Sequence, residues 1–517
     1  MANLKVLLTG ASGTMGLASL MFMTLENQLD IRVLSLKTKQ DKKVLKPYLD
    51  QDLIKLIWGD IRDYDKVLEA VKDVDIILHM GALVSPLADL KPRLAMDINY
   101  GGTLNLLSAI RDLGQEDKSY FVYIGSVAET GDRMPPIHWG RVGDPIKPSV
   151  NDYYAVSKVA AEREVIESGL KHWVSLRQTG IMSTKMASTM DPIILHNPLN
   201  NVLEYVSDRD SGRLIRNLCI KLHDGSLPEK FWNHIYNVGG GKSCRVSSLE
   251  LYAKSFAELG VKNLGGAFKA NWFASNNFHG QYYLDSDKLE DYLHFRKDDI
   301  SYFYKMFDKA YGVWAKLSRK VSKIPLLQKI VTSSVYSNFK HLANKANGTL
   351  KALKSKDKKR ISTFWPSPQK WSKIPEKLKD FPVFKNWNKV IQIDHGYDEN
   401  RPANELDLAD LQGAAKFRGG ILRSTTMTKG DWQTKLDFTC AFGHDFKASP
   451  KLVLEGGHWC PYCEDESWNY AERAKRDPFF AQVWYPLHKK DEPAYVYEKK
   501  VKPQEFREKL LAEGRLL

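Results

Sequence analysis

The segment Leu4-Lys5-Val6-Leu7-Leu8-Thr9-Gly10-Ala11-Ser12-Gly13-Thr14-Met15-Gly16 constrains this chain more than any other stretch. A short apolar run passes at once into glycines spaced G-x-x-G-x-x-G, and the uncharged stretch Leu17 to Leu25 follows. The pattern predicts a strand, a tight turn and a helix. Glycines let backbone amides approach a pyrophosphate, and the positive end of the next helix favours that anion. The expected fold class is therefore α/β, with a Rossmann-type doubly wound parallel sheet that binds a dinucleotide.

The second strand, Ile31-Arg32-Val33-Leu34, should end at an acid if it is to hold the ribose hydroxyls of NAD(H). It ends instead at Ser35, with Lys37 and Lys39 close behind. A hydroxyl and ammonium groups accept a 2′-phosphate that a carboxylate would repel, so the balance tilts to NADP(H) over NAD(H).

Further along, Asp152-Tyr153-Tyr154-Ala155-Val156-Ser157-Lys158 places Tyr154 and Lys158 four residues apart, on one helix face. A cation beside a phenol favours phenolate, so the lysine is expected to lower the tyrosine's pKa and ready it to trade a proton with a carbonyl or alcohol. Ser126 ends the apolar strand Tyr120 to Ile124, at the carboxyl end where open α/β sheets place their ligands.

These motifs resemble an extended short-chain dehydrogenase/reductase of the NAD-dependent epimerase/dehydratase type, over roughly residues 1–310. The matching pieces are the Thr9 to Gly16 loop, Gly59-Asp60-Ile61-Arg62-Asp63, His79-Met80-Gly81-Ala82, Asn99-Tyr100-Gly101-Gly102-Thr103, Tyr123-Ile124-Gly125-Ser126, Tyr154 with Lys158, and Tyr236-Asn237-Val238-Gly239-Gly240. The resemblance implies that Gly10, Ser12, Gly13, Thr14, Met15 and Gly16 hold the cofactor phosphates, with Ser35 and Lys37 at the adenosine ribose. It further implies that Asp60 and Ile61 flank the adenine, that Gly81 and Ala82 line the ribose and pyrophosphate, and that Asn99 supports the helix beside the active site. Ser126, Tyr154 and Lys158 would be the catalytic trio. Tyr154 would exchange the proton, Lys158 would hold the nicotinamide ribose and assist Tyr154, and Ser126 would stabilise charge on the reacting oxygen.

Two departures narrow the reaction. The family's dehydratases carry a threonine and an acid pair near the catalytic strand, whereas this chain reads Ser126-Val127-Ala128-Glu129-Thr130. The family's R-P-x-x-x-Y-G-P segment appears as Leu176-Arg177-Gln178-Thr179-Gly180-Ile181-Met182-Ser183, without its prolines. Both favour plain carbonyl reduction or alcohol oxidation on a small molecule. The alternatives are a nucleotide-sugar epimerase with tightly bound NAD, and a non-enzymatic NADP-binding scaffold whose tail binds nucleic acid or a partner. A small α+β substrate cap is expected from about 183–204 and 225–283, and His138, Trp139 and Arg141 lie where a loop could cross the site.

At 517 residues the chain has room for two or three domains. Residues 311–392 carry 19 lysines and arginines against three acids, a net of +16 where the whole chain carries +14. A basic helical linker is expected there, serving as a solvated connector or homo-oligomer contact ahead of an anionic membrane surface or nucleic acid.

Residues 393–517 hold a second constellation, Cys440-Ala441-Phe442-Gly443-His444 followed by His458-Trp459-Cys460-Pro461-Tyr462-Cys463. Cys440, His444, Cys460 and Cys463 have the type and spacing of structural zinc ligands, with His458 as an alternative fourth. The pattern resembles a small treble-clef or zinc-ribbon module. Acids Glu464-Asp465-Glu466 on one side of it speak against phosphate binding. An odd count of five cysteines, no leader-like N-terminus and no long apolar run set the expectation of a cytoplasmic protein.

Overall fold

Apolar runs in the first 240 residues become the strands of one parallel sheet. They are β1 Leu4–Thr9, β2 Leu29–Ser35, β3 Lys55–Trp58, β4 Ile76–His79, β5 Tyr120–Ser126, β6 His172–Gln178 and β7 His234–Val238. Hydrogen-bonded neighbours run β7-β6-β5-β4-β1-β2-β3, all parallel. The computed structural model describes residues 2–464, 469–492, 495 and 501–513. β4 and β6 are buried along their whole length, as a parallel sheet covered on both faces requires.

Helices supply that cover. On one face α1 Thr14–Met23 packs with Leu214 and Leu218 of a later helix against Val6, Leu8, Ile76 and Val122. On the other face α2 Gly102–Asp112 and α3 Tyr153–Ile166 pack against Leu7, Ile77, Phe121 and Trp173. The strand order reverses between β1 and β4, and the loops that follow these two strands pack closely there. Gly10 has φ +73°, and a Cβ on it would stand 2.7 Å from the Gly81 Cα, so the two loops pass backbone to backbone.

The cap is built around two short pairings, Val202–Glu204 antiparallel to Arg245–Ser247 and Val206–Ser207 parallel to Ile181–Met182. One boundary differs from expectation. Leu227, Phe231 and Trp232 pack under the sheet and 234–238 is its edge strand, so the first part of the 225–283 stretch belongs to the core.

The basic segment is not a linker. It folds into α4 Val313–Val321, α5 Pro325–Asn344 and three shorter helices ending at Ser372. Phe339, Leu342 and Ala343 share a core with Leu195, Leu199, Phe268 and Phe273 of the cap, and Trp365 is fully buried with its indole N–H donating to the Phe273 carbonyl at 2.8 Å. The charge of the segment masked this, because within α5 only Phe339, Leu342 and Ala343 are fully buried.

A strap with little regular structure then leads to residue 400. The Trp387 carbonyl accepts from His138 Nε2 at 2.8 Å and from the Trp139 indole at 3.0 Å, while Arg141 grips Glu399 at 2.6 Å and the Ile393 carbonyl at 2.9 Å. These three residues therefore anchor the strap, and do not cross the site as a loop.

The C-terminal region contains a three-stranded antiparallel ladder of Ile421–Leu422, Leu436–Thr439 and Asp445–Ala448. It is not a separate body with its own core. Leu411, Ala414, Phe438, Leu452 and Trp459 join the same apolar cluster as Ile110, Ala161, Val165 and Trp173. A ladder this short cannot bury enough surface alone, and the outer face of α3 supplies the rest. Among the described residues no helix is long and apolar enough to cross a membrane.

Candidate active site and metal centre

The phosphate loop is held before any ligand arrives. The Gly13 amide donates to the Gly10 carbonyl at 3.0 Å, and a Cβ on Gly16 would lie 2.2 Å from that oxygen, so only glycine lets α1 start so close to the loop. α1 begins with no side-chain cap, which leaves its first amides for a phosphate, and Thr14 and Met15 open it. Thr9 Oγ1 accepts from the Gly81 amide at 3.0 Å and meets His79 Nδ1 at 2.9 Å, while His79 Nε2 meets Thr103 at 2.9 Å. Burial holds the His79 imidazole down to about 3, so it stays neutral and can relay this chain of hydrogen bonds.

At the adenosine end Ser35 closes β2, and Lys37 and Lys39 are exposed. Sequence reading missed Asp41, which accepts from the Ser12 hydroxyl at 2.5 Å and from Thr38. It puts a carboxylate beside the loop, six residues beyond the strand end where an acid was sought. Asp60 is braced by Arg62 at 2.6 Å, and that hydrogen bond holds its carboxyl below the usual range. The Ile61 carbonyl accepts from Asn105 at 2.9 Å.

Ala82 and Leu83 follow β4 toward the site. Asn99, in the widened turn Met96–Gly101, accepts from the Leu83 amide at 2.7 Å and donates to the Leu83 carbonyl at 2.9 Å. Its amide group also reaches Ser157 Oγ at 2.9 Å, so one side chain ties the β4 loop to α3 beside Lys158.

Ser126, Tyr154 and Lys158 converge at the end of β5. The Ser126 amide donates to Glu129 Oε1 at 2.8 Å while its hydroxyl accepts from the Ala128 amide at 3.2 Å, which fixes the turn. The Ser126 side chain lies near enough to the Tyr154 phenol to favour its ionised form. Lys158 stands with its ammonium 4.0 Å over the Tyr123 ring.

The electrostatics differ from the expectation that Lys158 lowers the tyrosine. Burial pushes the Tyr154 phenol above its ordinary range, the Ser126 side chain pulls it down, and Glu129 and Asp152 add to the rise. Burial also brings Lys158 down to about 8, against Glu129 and Glu162. The physical reason is that burial dominates at the phenol, while Glu129 and Glu162 offset the ammonium charge.

Glu129, the acid retained near the catalytic strand, turns inward and is wholly buried. Its carboxylate lies 3.3 Å from Arg177, which pairs with Glu162 at 2.6 Å. His458 continues the chain, with Nε2 at 3.0 Å from Glu162 and Nδ1 at 3.2 Å from Glu464, and Glu464 pairs with Arg163 at 2.9 Å. Glu162 could have been foreseen: Tyr154, Lys158 and Glu162 extend the same four-residue spacing. His458 and Glu464 carried no such signal.

A cavity of about 370 Å³ opens beside the start of α3, lined among others by Ser85, Asp89, Asp152, His196, Phe278 and Arg360. It draws on the β4 loop, the cap and the basic segment together. Asp89 accepts from the amides of Tyr153 at 2.9 Å and Tyr154 at 3.3 Å. Burial, reinforced by the Asp152 charge, raises its carboxyl to about 7.

In the C-terminal region the ligand atoms of Cys440, His444, Cys460 and Cys463 all lie within 4.8 Å of one another. His444 Nδ1 is 3.4 Å from the sulfurs of Cys440 and Cys463 and 3.5 Å from that of Cys460. The Phe442 amide points at Cys440 Sγ at 3.4 Å, and Gly443, at φ +81°, turns the knuckle. Three sulfurs and one imidazole nitrogen at these separations suit a tetrahedral ion. His458, the alternative ligand, is engaged by Glu162 and Glu464 and is not among the four. Glu464 is buried against Arg163, so it forms no acidic surface; Asp465 and Glu466 lie outside the described residues.

Residues 6–235 match the model of the NAD dependent epimerase/dehydratase family. This stretch, under half of the chain, carries that family's motifs on the parallel sheet described above. It is similar to the 3 beta-hydroxysteroid dehydrogenase/Delta 5-->4-isomerase of vaccinia virus strain Copenhagen, with 35% identity over 25% of this chain and 39% of the relative. An uncharacterized epimerase/dehydratase of Staphylococcus aureus strain COL is 34% identical over 20% of this chain and 30% of the relative. The chain thus spans less than half the length of these curated relatives. Among solved structures, UDP-glucose-4-epimerase from Stenotrophomonas maltophila, with bound NAD and formylated UDP-arabinopyranose, aligns with 62% of this chain and 99% of its own at 16% identity and a TM-score of 0.47.

Asp89 gives a pH-dependent prediction. A carboxyl raised from 3.8 to about 7 costs stability once ionised; the penalty is absent below the unfolded value, grows between the two and is complete above about 7. Asp89→Asn should therefore raise the melting temperature at about pH 8 and leave it nearly unchanged at about pH 4. An equal shift at both, in thermal denaturation, would contradict the assignment.

Proposed function

We propose that this chain is an NADP(H)-dependent oxidoreductase that exchanges hydride with a carbonyl or secondary alcohol, with Tyr154 as the acid/base. The observation that carries this reading is the convergence of Ser126 and Tyr154 at the end of β5, beside a buried Lys158. The bare Gly10 to Gly16 loop, the uncapped start of α1 and the loop at Gly81 and Ala82 fit a dinucleotide, whose nicotinamide would give or take hydride when bound. Ser35, Lys37 and Lys39 favour the 2′-phosphate; Asp41 works against it, although Ser12 and Thr38 already engage its carboxylate.

The chain's own residues divide the remaining work. Burial keeps Tyr154 protonated, so its phenol enters as the acid that delivers a proton to the substrate oxygen, the sense of carbonyl reduction. Ser126 donates to that oxygen and stabilises its developing charge. Lys158 would hold the nicotinamide ribose hydroxyls. Asn99 keeps the β4 loop and α3 in register. Glu129 faces Arg177 inside the protein, which leaves elimination without its acid. The name of the vaccinia relative, a hydroxysteroid dehydrogenase, agrees with alcohol and carbonyl chemistry.

Cys440, His444, Cys460 and Cys463 are proposed to hold one structural zinc ion. Four protein donors fill a tetrahedral shell and leave no position for substrate.

Two experiments test this reading. In a carbonyl panel followed by NADPH and NADH absorbance, NADPH should be the better reductant, and Tyr154→Phe should lower kcat/KM by about 10²- to 10⁴-fold. Turnover within a few-fold of the parent would overturn the mechanism. Metal analysis of the purified chain should give one zinc per chain, and Cys463→Ser should lose it and open residues 420–464 to proteolysis; a metal-free parent would refute the site.

A further inference from the structure

Helix α4 and the first turns of α5 present apolar side chains to water. Several polar groups of α4 and its C-terminal cap turn to the protein: the Ser318 hydroxyl donates to the Leu259 carbonyl at 2.5 Å, Arg319 donates to the Glu258 carbonyl and pairs with Asp308 at 2.6 Å, and Ser322 is buried. The large apolar groups at this end of the segment face water. Four of the five most exposed large apolar side chains among the described residues are here, namely Val313 70%, Trp314 73%, Leu326 70% and Ile330 61%. Leu317 and Ile324 are exposed beside them. Spacings of three and four residues put Val313, Trp314 and Leu317 on one face of α4, and Leu326 and Ile330 on one face of α5. The far end of α5 is rooted in the cap through Phe339 and Leu342, so the apolar end projects from a fixed base.

The charge carried by the segment itself has one sign, and the neighbouring Asp308 and Glu258 are paired with Arg319. Between Asp308 and Asp357 the chain has eleven lysines and arginines and no acid. Lys316, Lys320, Lys323 and Lys329 are exposed and, among the described residues, form no ion pair. A ring of ammonium groups around projecting Trp, Leu, Ile and Val side chains matches a lipid surface with anionic headgroups. The apolar groups enter the acyl boundary while the lysines stay at the phosphates. A second copy of the chain would set lysine against lysine. Nucleic acid would satisfy the lysines but leave four aliphatic side chains without a partner.

We infer that the face formed by Val313, Trp314, Leu317, Leu326 and Ile330, with its flanking lysines, docks this protein on an anionic membrane surface without crossing it.

Sedimentation of the full chain with vesicles tests the inference. The chain should bind vesicles of phosphatidylcholine with phosphatidylglycerol at low salt, and bind phosphatidylcholine alone far more weakly. Trp314→Ser combined with Leu326→Ser and Ile330→Ser should weaken binding by about tenfold or more at an unchanged melting temperature. Lys316→Ala and Lys320→Ala should each cost about fivefold. Failure of the parent to bind the anionic vesicles would overturn the proposal. So would binding that ignores the apolar substitutions, as a purely electrostatic or nucleic-acid site would. A stable dimer in lipid-free solution that the apolar variant converts to monomer would assign the face to self-association and also overturn it.

Discussion

Arg177 reaches from β6 into the region between α3 and the C-terminal ladder, and much of the structure is organised around its guanidinium. It pairs with Glu162 at 2.6 Å and Glu129 at 3.3 Å, and donates to the Gly456 carbonyl at 2.7 Å. Glu129 in turn holds the Ser126 amide, so the catalytic turn is braced from behind by the same ion that fastens the C-terminal region. Burial works to raise the Glu162 carboxyl, but Arg177 and His458 hold it well below the usual range. Removing one partner from such a cluster costs about 3–5 kcal/mol, because the charge left behind is stranded out of water.

The consequence is that the C-terminal region belongs to the enzyme domain's interior. It covers an apolar face of α3 that a free-standing sheet domain would expose, and it completes an ion network that would otherwise be half satisfied. The cluster of Cys440, His444, Cys460 and Cys463 fixes the loop that carries His458 and Glu464, since Cys460 and Cys463 stand within that loop. The Cys/His cluster, the ion network and the Ser126 turn form one mechanical series. The basic segment plays the matching part on the other side, where it thickens the cap and lines the cavity near Tyr154 with Arg360.

The local motifs were legible in the sequence, and the long-range contacts were not. Glycine spacing predicts the phosphate loop because the steric demand at Gly10 and Gly16 is local, and the strand-end position of Ser126 follows from the same logic. The convergence of the three thiols and His444 was legible because such residues at knuckle spacing have few other uses. The tyrosine's pKa was misjudged because its burial, and the approach of Glu129 to Lys158, come only with the fold. Asp41, Asp89 and His458 act through partners 29 to 296 residues away, and nothing in their neighbours announces it. The basic segment misled for a related reason: its charge dominates the composition, while a few buried residues such as Phe339 and Trp365 decide where it sits.

The claim that the C-terminal region braces the catalytic turn through buried charge is most directly tested by amide hydrogen exchange on the His458→Ala chain. Loss of protection should spread beyond the ladder to 126–130 and 154–162, the residues held by Glu129 and Glu162. Faster exchange confined to 440–464, with the catalytic turn and α3 protected as in the parent chain, would show that the two regions merely touch.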